Sequence, residues 1–335
     1  MSVLLVVVAV AFAWSMGAHY TGACMGMPHA LRAVSAWQAL VIMAPLALLG
    51  AALASHGVEH TVARTLTTAT LGTGAEIVVV AVAFALTTAY NRLKVPTSTI
   101  QILVFALAGT ALGAGIGVRW TAIGLLAIVW VLAPLAAAGL GFAGTRLLDK
   151  MPAFRAGPGP GSPGNGATTT GGKATSGNWL AIALVIAGAG ASFVMGSNDV
   201  ANATGSLVAT HTFSPVAAGA IGGAGLALGV LTWGRPLLNR VAFDVVTVDR
   251  PMATAAQAVQ AIVVIVAVSF GFFTSMNQAL VGAMAGAGAA RGRQTVNRPT
   301  LTGILRGWAL GPAAGIALGY LATRLLTLAG VTGLH

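Results

Sequence analysis

The sequence predicts an all-α polytopic membrane protein built from two inverted-topology repeats of about five transmembrane helices each. Three observations support this fold class. Of the 335 residues, 57% are hydrophobic and only 7% are charged, a composition that excludes an ordinary soluble domain. Many of the apolar runs approach the ~20 residues that a helix needs to cross a bilayer. The two halves of the chain also share motifs at a nearly constant spacing, which indicates an internal duplication.

Ten apolar runs follow one another along the chain, five in each half. The first, sixth and ninth are short before a glycine or polar break, so we expect these three to be discontinuous helices that line a binding site. The runs of the first half are approximately Val3–Met16 extending toward Met27, Ala36–Ala54, Thr73–Tyr90, Thr99–Val118 and Ala122–Leu147. Those of the second half are Trp179–Met195 extending toward Thr210, Pro215–Trp233, Ala255–Phe273, Gln278–Ala290 and Leu301–Leu326.

A low-complexity segment rich in Gly, Pro, Ser and Thr separates the two halves and is expected to be a flexible linker. The predicted organisation is a first transmembrane repeat at 1–149, a linker at 150–178 and a second transmembrane repeat at 179–335. Ile128–Pro134 resembles Arg306–Pro312, which lies 178 residues later. Because each half has an odd number of spans, the second copy must enter the membrane from the opposite side.

The basic residues predict the orientation. The net charge of +11 comes from 17 Lys and Arg against 6 Asp and Glu, and the basic residues lie between apolar runs without forming a patch that suits nucleic acid. Threading ten spans puts fourteen on one side and leaves Arg64, Arg119 and Arg324 on the other. The positive-inside rule then places the linker in the cytoplasm and both termini outside the cytoplasmic membrane. The single cysteine, Cys24, excludes an intramolecular disulfide.

The stretch that organises the chain is Met195–Leu207, which contains Asn198, Asp199 and Asn202. A carboxylate at mid-bilayer costs at least about 2.5–3.5 kcal/mol, so Asp199 is expected to have a function. The sequence from Gly196 to Asp199 is typical of a helix break followed by a cap, with Asn202 on the same helix face. We interpret the stretch as a site for an ion or polar solute. For Asn202 alone, helix packing is an equally good explanation.

The first half contains a copy of this stretch at Gly17–Gly26, 179 residues earlier. The outer glycines are retained, whereas the polar side chains are not. His19, Tyr20 and Ala23 stand where the second half has Asn198, Asp199 and Asn202.

A second paired motif is P-T-S-T-I-Q at Pro96–Gln101 and F-T-S-M-N-Q at Phe273–Gln278. The proline and the hydroxyl residues of these motifs are typical of helix starts. Each copy therefore places hydroxyls and free N–H groups at the positive end of a helix dipole, where anions bind.

These motifs resemble those of the inorganic phosphate transporter (PiT) family. G-S-N-D-V-A-N-A at residues 196–203 is similar to its signature G-A-N-D-x-A-N-A, which the family normally has in both halves, and the paired motifs resemble its P-x-S-T-T-H. The resemblance covers nearly the whole chain and identifies a divergent member with a degenerate first signature. It implies a secondary active transporter, not an enzyme, that couples Na⁺ or H⁺ to symport of inorganic phosphate.

The resemblance also implies the site residues, with no cofactor beyond the coupling ion. The cation site would be formed by Asn198, Asp199 and Asn202, which would hold Na⁺. Glu76 is added to the predicted cation site because it is the second intramembrane acid, and not because of the resemblance. The anion site would be formed by Ser98, Thr99, Gln101, Ser275, Asn277 and Gln278. The partners expected are the oxyanion and the lipid bilayer, with a homodimer as one option and no nucleic acid.

Several alternatives stay open from the sequence. Neutral donors also suit sulfate or another small oxyanion, and the loss of the first Asn-Asp-Asn set is compatible with a transport-inactive paralogue. His19 could titrate a proton or could be a hydrogen-bonded structural residue. Glu76 could bind a cation or a proton, or could lie near the outer membrane interface.

Overall fold

The structure, a computed structural model, describes residues 1–55, 65–151, 176–238, 248–292 and 298–334. Within these segments the chain forms eleven α-helices, one short 3-10 helix and one isolated β-bridge. Most of the predicted linker, from 152 to 175, lies outside the described residues.

The described helices divide into a group before residue 152 and a group after residue 175. Those of the first half are α1 (Ser2–His19), α2 (Thr21–Ala30), α3 (Ala36–Ala54), α4 (Thr73–Leu93), α5 (Thr99–Gly113) and α6 (Trp120–Lys150). Those of the second are α7 (Ser176–Ala209), α8 (Pro215–Trp233), α9 (Arg250–Ser269), α10 (Met276–Arg291) and α11 (Arg298–Leu328), with the 3-10 turn Arg235–Leu237 after α8. In the described part of the chain, eight helical segments are long and apolar enough to cross a membrane, and α1 with α2 forms one of them. The predicted all-α membrane fold is confirmed.

The helices of the two halves correspond in length and in packing. Both α6 and α11 have 31 residues, and both α3 and α8 have 19. The main contacts cross between the halves in reciprocal pairs: α5 packs on α11 and α10 on α6, while α3 packs on α7 and α1 on α8. Two intertwined copies related by a pseudo-two-fold axis produce this pattern. The predicted duplication is therefore confirmed.

Corresponding helices start at opposite ends of the bundle. α4 begins where the N–H of Gly74 donates to the carbonyl of Gly333 at 2.9 Å. Its counterpart α9 begins at Asp249, which pairs with Arg291, and Arg291 also pairs with Asp149 at the end of α6. Since α6 starts beside the bridge that precedes α4 and runs for 31 residues, these two locations are opposite ends of the bundle. The second repeat is thus inverted relative to the first, as predicted.

Glycines at matching positions bring the helices of the two repeats into backbone contact. A Cβ atom on Gly50 would collide with the carbonyl oxygen of Phe193, and one on Gly229 would collide with that of Trp14. Small residues are how membrane helices gain close packing when lipid offers no hydrophobic driving force. The same correspondence relates Gly17 to Gly196, Gly109 to Gly286 and Gly141 to Gly319.

The helix break predicted from Gly196 to Asp199 is wrong, because α7 continues through this stretch. Gly196 is instead the place where α3 crosses α7, since a Cβ there would collide with the carbonyl of Ala47. The hydroxyl of Ser197 donates back to the carbonyl of Val194 at 2.9 Å, so it is satisfied inside the helix and caps nothing. Gly196 and Ser197 therefore serve helix packing and a side-chain hydrogen bond within a continuous helix, and they do not form a helix cap.

The discontinuities lie at other positions. α1 and α2 are separated at Tyr20 in the first repeat. α5 and α10 have 15 and 16 residues. At ~1.5 Å per residue each is only about 22–24 Å long, which is short of the ~30 Å hydrocarbon core. The prediction of discontinuous helices at the site is confirmed, but the sixth run is not one of them.

Candidate functional site

The two short helices α5 and α10 meet at their N-termini in the interior of the bundle. Ser98 caps α5 and Ser275 caps α10, and each hydroxyl oxygen accepts from the backbone N–H of the glutamine three residues later at 3.3 Å. These glutamines face each other, with Gln101 Nε2 donating to Gln278 Oε1 at 3.4 Å. The positive ends of two helix dipoles therefore converge, and this arrangement favours an anion.

Asn277 ties the two helix starts together. Its Nδ2 donates to the carbonyl of Thr97 at 2.7 Å and lies 3.1 Å from His19 Nε2. Four buried polar atoms here have no hydrogen-bond partner among the described residues: the hydroxyls of Thr97 and Thr274 and the amide oxygens of Gln101 and Asn277. An unpaired buried polar atom costs about 1–3 kcal/mol. These atoms are therefore placed as a polar ligand would need them.

On α7, Asn198 positions both the start of α10 and the Asp199 carboxylate. Its Nδ2 donates to the carbonyl of Thr274 at 2.8 Å, while its Oδ1 accepts from the N–H of the same residue at 3.2 Å. The same Nδ2 lies 3.1 Å from Asp199 Oδ2. Asn198 thus pairs with both the backbone N–H and the backbone carbonyl of Thr274, which precedes α10.

Two oxygen atoms on this face of α7 could hold a cation. Asp199 Oδ1 and Asn202 Oδ1 are buried and have no hydrogen-bond partner among the described residues. Asn202 Nδ2 points toward the sulfur of Met16 at 3.9 Å, so its oxygen is directed elsewhere. Carboxylate and amide oxygens are the ligands that hard cations prefer. These residues therefore fit Na⁺, and the carboxylate alone could accept a proton.

In the first repeat, His19 takes the place of Asn198. Its Nε2 lies 3.2 Å from the carbonyl oxygen and 3.4 Å from the backbone nitrogen of Thr97, just as Asn198 faces the peptide of Thr274. Its Nδ1 lies 2.6 Å from Asn91 Oδ1. A neutral imidazole that donates from Nδ1 accepts at Nε2, so His19 has partners at both nitrogens. The repeat alignment made from the sequence is reproduced in the side-chain contacts.

Tyr20 stands at the position that Asp199 has in the second repeat. Its hydroxyl lies 2.8 Å from Thr99 Oγ1, at the start of α5, and also faces the Asp199 carboxylate. Ala23, the counterpart of Asn202, has no side-chain oxygen. The first repeat therefore lacks the carboxylate and amide pair that the second repeat has.

Glu76 is the one predicted cation residue that the structure does not bring into this cluster. It lies in the first turn of α4, two residues after Gly74, at the end of the bundle that holds Gly333. Asn91, which reaches the site through His19, is fifteen residues further along α4, about 22 Å at ~1.5 Å per residue. The other predicted residues, in α5, α7 and α10, lie at or beside the helix starts.

Two buried glutamines of α9 were not identified from the sequence as site residues. Gln257 donates to the carbonyl of Ala23 at 2.9 Å and also to Gln260, which in turn donates to the carbonyl of Met276 at 3.2 Å. α9 thereby holds both α2 and the start of α10. Two amides three residues apart in an apolar run are the sequence signal that could have identified them.

Comparison with known proteins identifies the family. The model of the phosphate transporter family matches residues 16–319, which is most of the chain and includes both helix starts and α7. The chain belongs to the phosphate transporter family. The resemblance seen in the motifs of the sequence is thereby confirmed.

The proteins similar to this chain differ in how much of it their matches cover. A proposed phosphate permease of Pyrococcus furiosus is 32% identical over 158 residues, 44% of this chain and 38% of that protein. The chain thus spans less than two fifths of the length of this relative. The sulfate permease of Bacillus subtilis is 26% identical over 322 residues, 94% of this chain and 85% of that protein. A solved structure, the sodium-dependent phosphate transporter, shares the fold with a TM-score of 0.87 at 20% identity, and the match covers 98% of this chain and 99% of that one.

His19→Asn should preserve the start of α5, whereas His19→Leu should disrupt it, because Asn198 makes the equivalent contact in the second repeat. Asparagine can pair with the peptide of Thr97, while leucine leaves polar groups unpaired at about 1–3 kcal/mol each. We expect the thermal midpoint of the purified protein in detergent to fall by several degrees in His19→Leu and by less than half as much in His19→Asn. Asn198→Leu serves as the matched variant in the other repeat. Equal midpoints for the two His19 variants would contradict this role.

Proposed function

We propose that this protein is a secondary active transporter that couples Na⁺ to symport of inorganic phosphate across the cytoplasmic membrane. The observation that carries the proposal is the meeting of two capped helix starts at Gln101 and Gln278, beside the Asp199 face of α7. Family membership supports a transport function. The name of the structural relative, the sodium-dependent phosphate transporter, supports both ions.

The anion binds between the two helix starts. The first turns of α5 and α10 offer backbone N–H groups, and the serine and threonine hydroxyls offer further donors. The residues proposed to contact the anion are all uncharged, namely Ser98, Thr99, Gln101, Ser275, Asn277 and Gln278. Neutral donors and helix dipoles bind the anion without a fixed cation that would hold it too tightly for release.

Phosphate is favoured over sulfate because the unpaired amide atoms are acceptors. The nitrogens of Gln101 and Asn277 donate to other groups, whereas their oxygens remain unpaired among the described residues. Hydrogen phosphate carries a proton that needs an acceptor, and sulfate carries none. One unpaired buried group costs about 1–3 kcal/mol, enough for roughly 5- to 150-fold discrimination.

Sulfate is the second candidate, and one comparison favours it. The match to the Bacillus subtilis sulfate permease covers 94% of this chain, whereas the match to the Pyrococcus furiosus protein covers 44%. A site with neutral donors also suits an oxyanion without a proton.

The loss of the first-repeat carboxylate leaves a transport-inactive paralogue as a third option, which uptake measurements distinguish directly.

The cation binds at Asp199 and Asn202, with Asn198 holding the carboxylate in place. Because Tyr20 and Ala23 occupy the matching positions of the first repeat, one carboxylate site serves the transport cycle and has no symmetric copy. This arrangement couples the two ions: Asn198 contacts Asp199 and the start of α10 simultaneously, so a cation at Asp199 stabilises the helix start that binds the anion.

The orientation follows from the charges. The end of the bundle with Lys94 and Arg291 faces the cytoplasm, and the end with Met1 and Gly333 faces outside. Fourteen of the 17 Lys and Arg lie on the first side when ten spans are threaded, and the positive-inside rule supports this assignment. Both ends of the chain are then external.

Asp199→Asn should abolish Na⁺-driven phosphate uptake, since it retains volume and hydrogen bonding but removes the charge that offsets the cation. We expect uptake into proteoliposomes under an inward Na⁺ gradient to fall at least about tenfold, in line with a buried charge contact of 1.4 kcal/mol or more. Glu76→Gln is the matched control, because Glu76 is also a buried carboxylate but lies away from the cluster. Undiminished Na⁺-dependent uptake by Asp199→Asn would contradict the proposed cation site.

Competition between unlabelled anions tests the substrate. At pH 7 phosphate should suppress uptake of labelled phosphate at a concentration at least about fivefold lower than sulfate does, because only phosphate supplies a proton to the unpaired acceptors. Gln278→Leu should weaken phosphate binding, and the thermal midpoint is measured in parallel because this variant also removes the acceptor of Gln101 Nε2. Stronger competition by sulfate would select the second candidate, and absence of uptake of either anion by the wild type would select the inactive paralogue.

A further inference from the structure

A narrow cleft leads from one end of the bundle to His19, which contacts the start of α5. Its walls include Lys94, Pro96 and Leu237, and its inner part is formed by His19 and Asn91. His19 is buried whereas Lys94 is exposed, so the cleft connects solvent with a residue that touches the start of α5. The cleft has room for about one water molecule in this conformation, so it must widen before an anion can pass.

Lys94 has a backbone conformation that a lysine does not favour. Its φ is +58°, in the left-handed region, where a Cβ atom is strained and glycine is not. The matching residue of the second repeat is Gly271, with φ +73°. The same hydrogen bond closes both helices, from Lys94 N–H to the carbonyl of Asn91 and from Gly271 N–H to that of Val268. The chain itself shows that glycine is sufficient for this turn.

The two matching turns also differ in chemistry. Around Lys94 the chain has polar Asn91 and the small ring of Pro96, which line the cleft. Around Gly271 the corresponding positions are apolar, with Val268 in the place of Asn91 and buried Phe273 in the place of Pro96. The turn with Asn91 has Lys94, whereas the matching turn has Gly271. Lys94 therefore breaks the symmetry of the repeats at the mouth of the cleft.

Lys94 forms no ion pair with a carboxylate in the part of the chain that the structure describes. Asp149 and Asp249 pair with Arg291, and Glu76 lies at the opposite end of the bundle. The remaining described acid, Asp199, lies in the interior beside Asn198 and Tyr20. Within the residues that the structure describes, the cleft therefore has a positive charge at its mouth that no carboxylate pairs with. Backbone strain at such a position indicates a function when packing gives no other reason for the residue.

We propose that Lys94 forms a second binding site for the transported oxyanion at the inner mouth of the protein, at the solvent end of the cleft that reaches His19, which the anion occupies during release to the cytoplasm. This inference rests on the function proposed above. The anion leaves the neutral donors at Gln101 and Gln278, passes His19 and is then held by the ammonium group of Lys94. The site is specific for charge and accepts phosphate or sulfate.

The test uses three variants of the full chain in proteoliposomes that hold the protein inside out. Lys94→Gly removes the charge and relieves the strain, Lys94→Arg retains the charge, and Arg92→Ala removes a neighbouring positive charge that does not line the cleft. Initial rates of phosphate transport are measured against the phosphate concentration on the cytoplasmic side. The thermal midpoint of each variant in detergent is measured in parallel.

We expect Lys94→Gly to raise the KM for phosphate on the cytoplasmic side about fivefold, the effect of one unit charge at ~4 Å in water-like surroundings. Its thermal midpoint should equal or exceed that of the wild type, because glycine removes the strain. Lys94→Arg and Arg92→Ala should keep the KM within about twofold. The wild-type KM should also rise with ionic strength more steeply than that of Lys94→Gly, since salt screens an exposed charge over ~8–10 Å.

Three results would overturn the inference. An unchanged KM in Lys94→Gly would show that the charge has no role, while the proposed transport function would stand. An equal rise in Arg92→Ala would show a general effect of surface charge. A wild-type protein that transports neither phosphate nor sulfate would overturn the proposed function and this site with it.

Discussion

The structure depends on holding the starts of α5 and α10 end to end inside an apolar bundle. Two positive helix ends repel each other, and their free backbone groups have no water to bind at membrane depth. Asn198 and His19 meet this requirement by pairing with the peptides of Thr274 and Thr97, and Asn277 links the two starts directly. An anion between the helix ends would complete the arrangement, because it neutralises both dipoles at once.

The contacts that hold the helices together are repeated in both halves of the chain, whereas the charged residues proposed to bind ions are not. The glycine contacts and the serine caps recur in both repeats at matching positions, and each repeat supplies one glutamine of the pair between them. Asp199 and Lys94, in contrast, are matched by Tyr20 and Gly271. One repeat therefore supplies the proposed cation site and the other supplies the proposed release site.

The membrane spans and the correspondence between the two repeats were predictable from the sequence. Apolar runs and charge asymmetry predicted the spans, since lipid imposes length and composition on every crossing helix. The spacing of the repeats predicted that His19 would stand in the place of Asn198. The continuity of α7 could not be predicted, because Gly196 serves both helix breaks and close packing and only the position of α3 distinguishes them. The location of Glu76 at one end of the bundle could not be predicted either. An acidic residue in an apolar run does not indicate how deep in the bundle it lies.

The most direct test of the account is to locate the bound anion. Arsenate has the shape and protonation of phosphate, and its arsenic atom gives an anomalous X-ray signal in crystals grown with Na⁺. We expect an anomalous peak between the starts of α5 and α10, within hydrogen-bond distance of Ser98, Gln101, Ser275 and Gln278. A peak elsewhere in the protein, with none between these helix starts, would contradict the central claim.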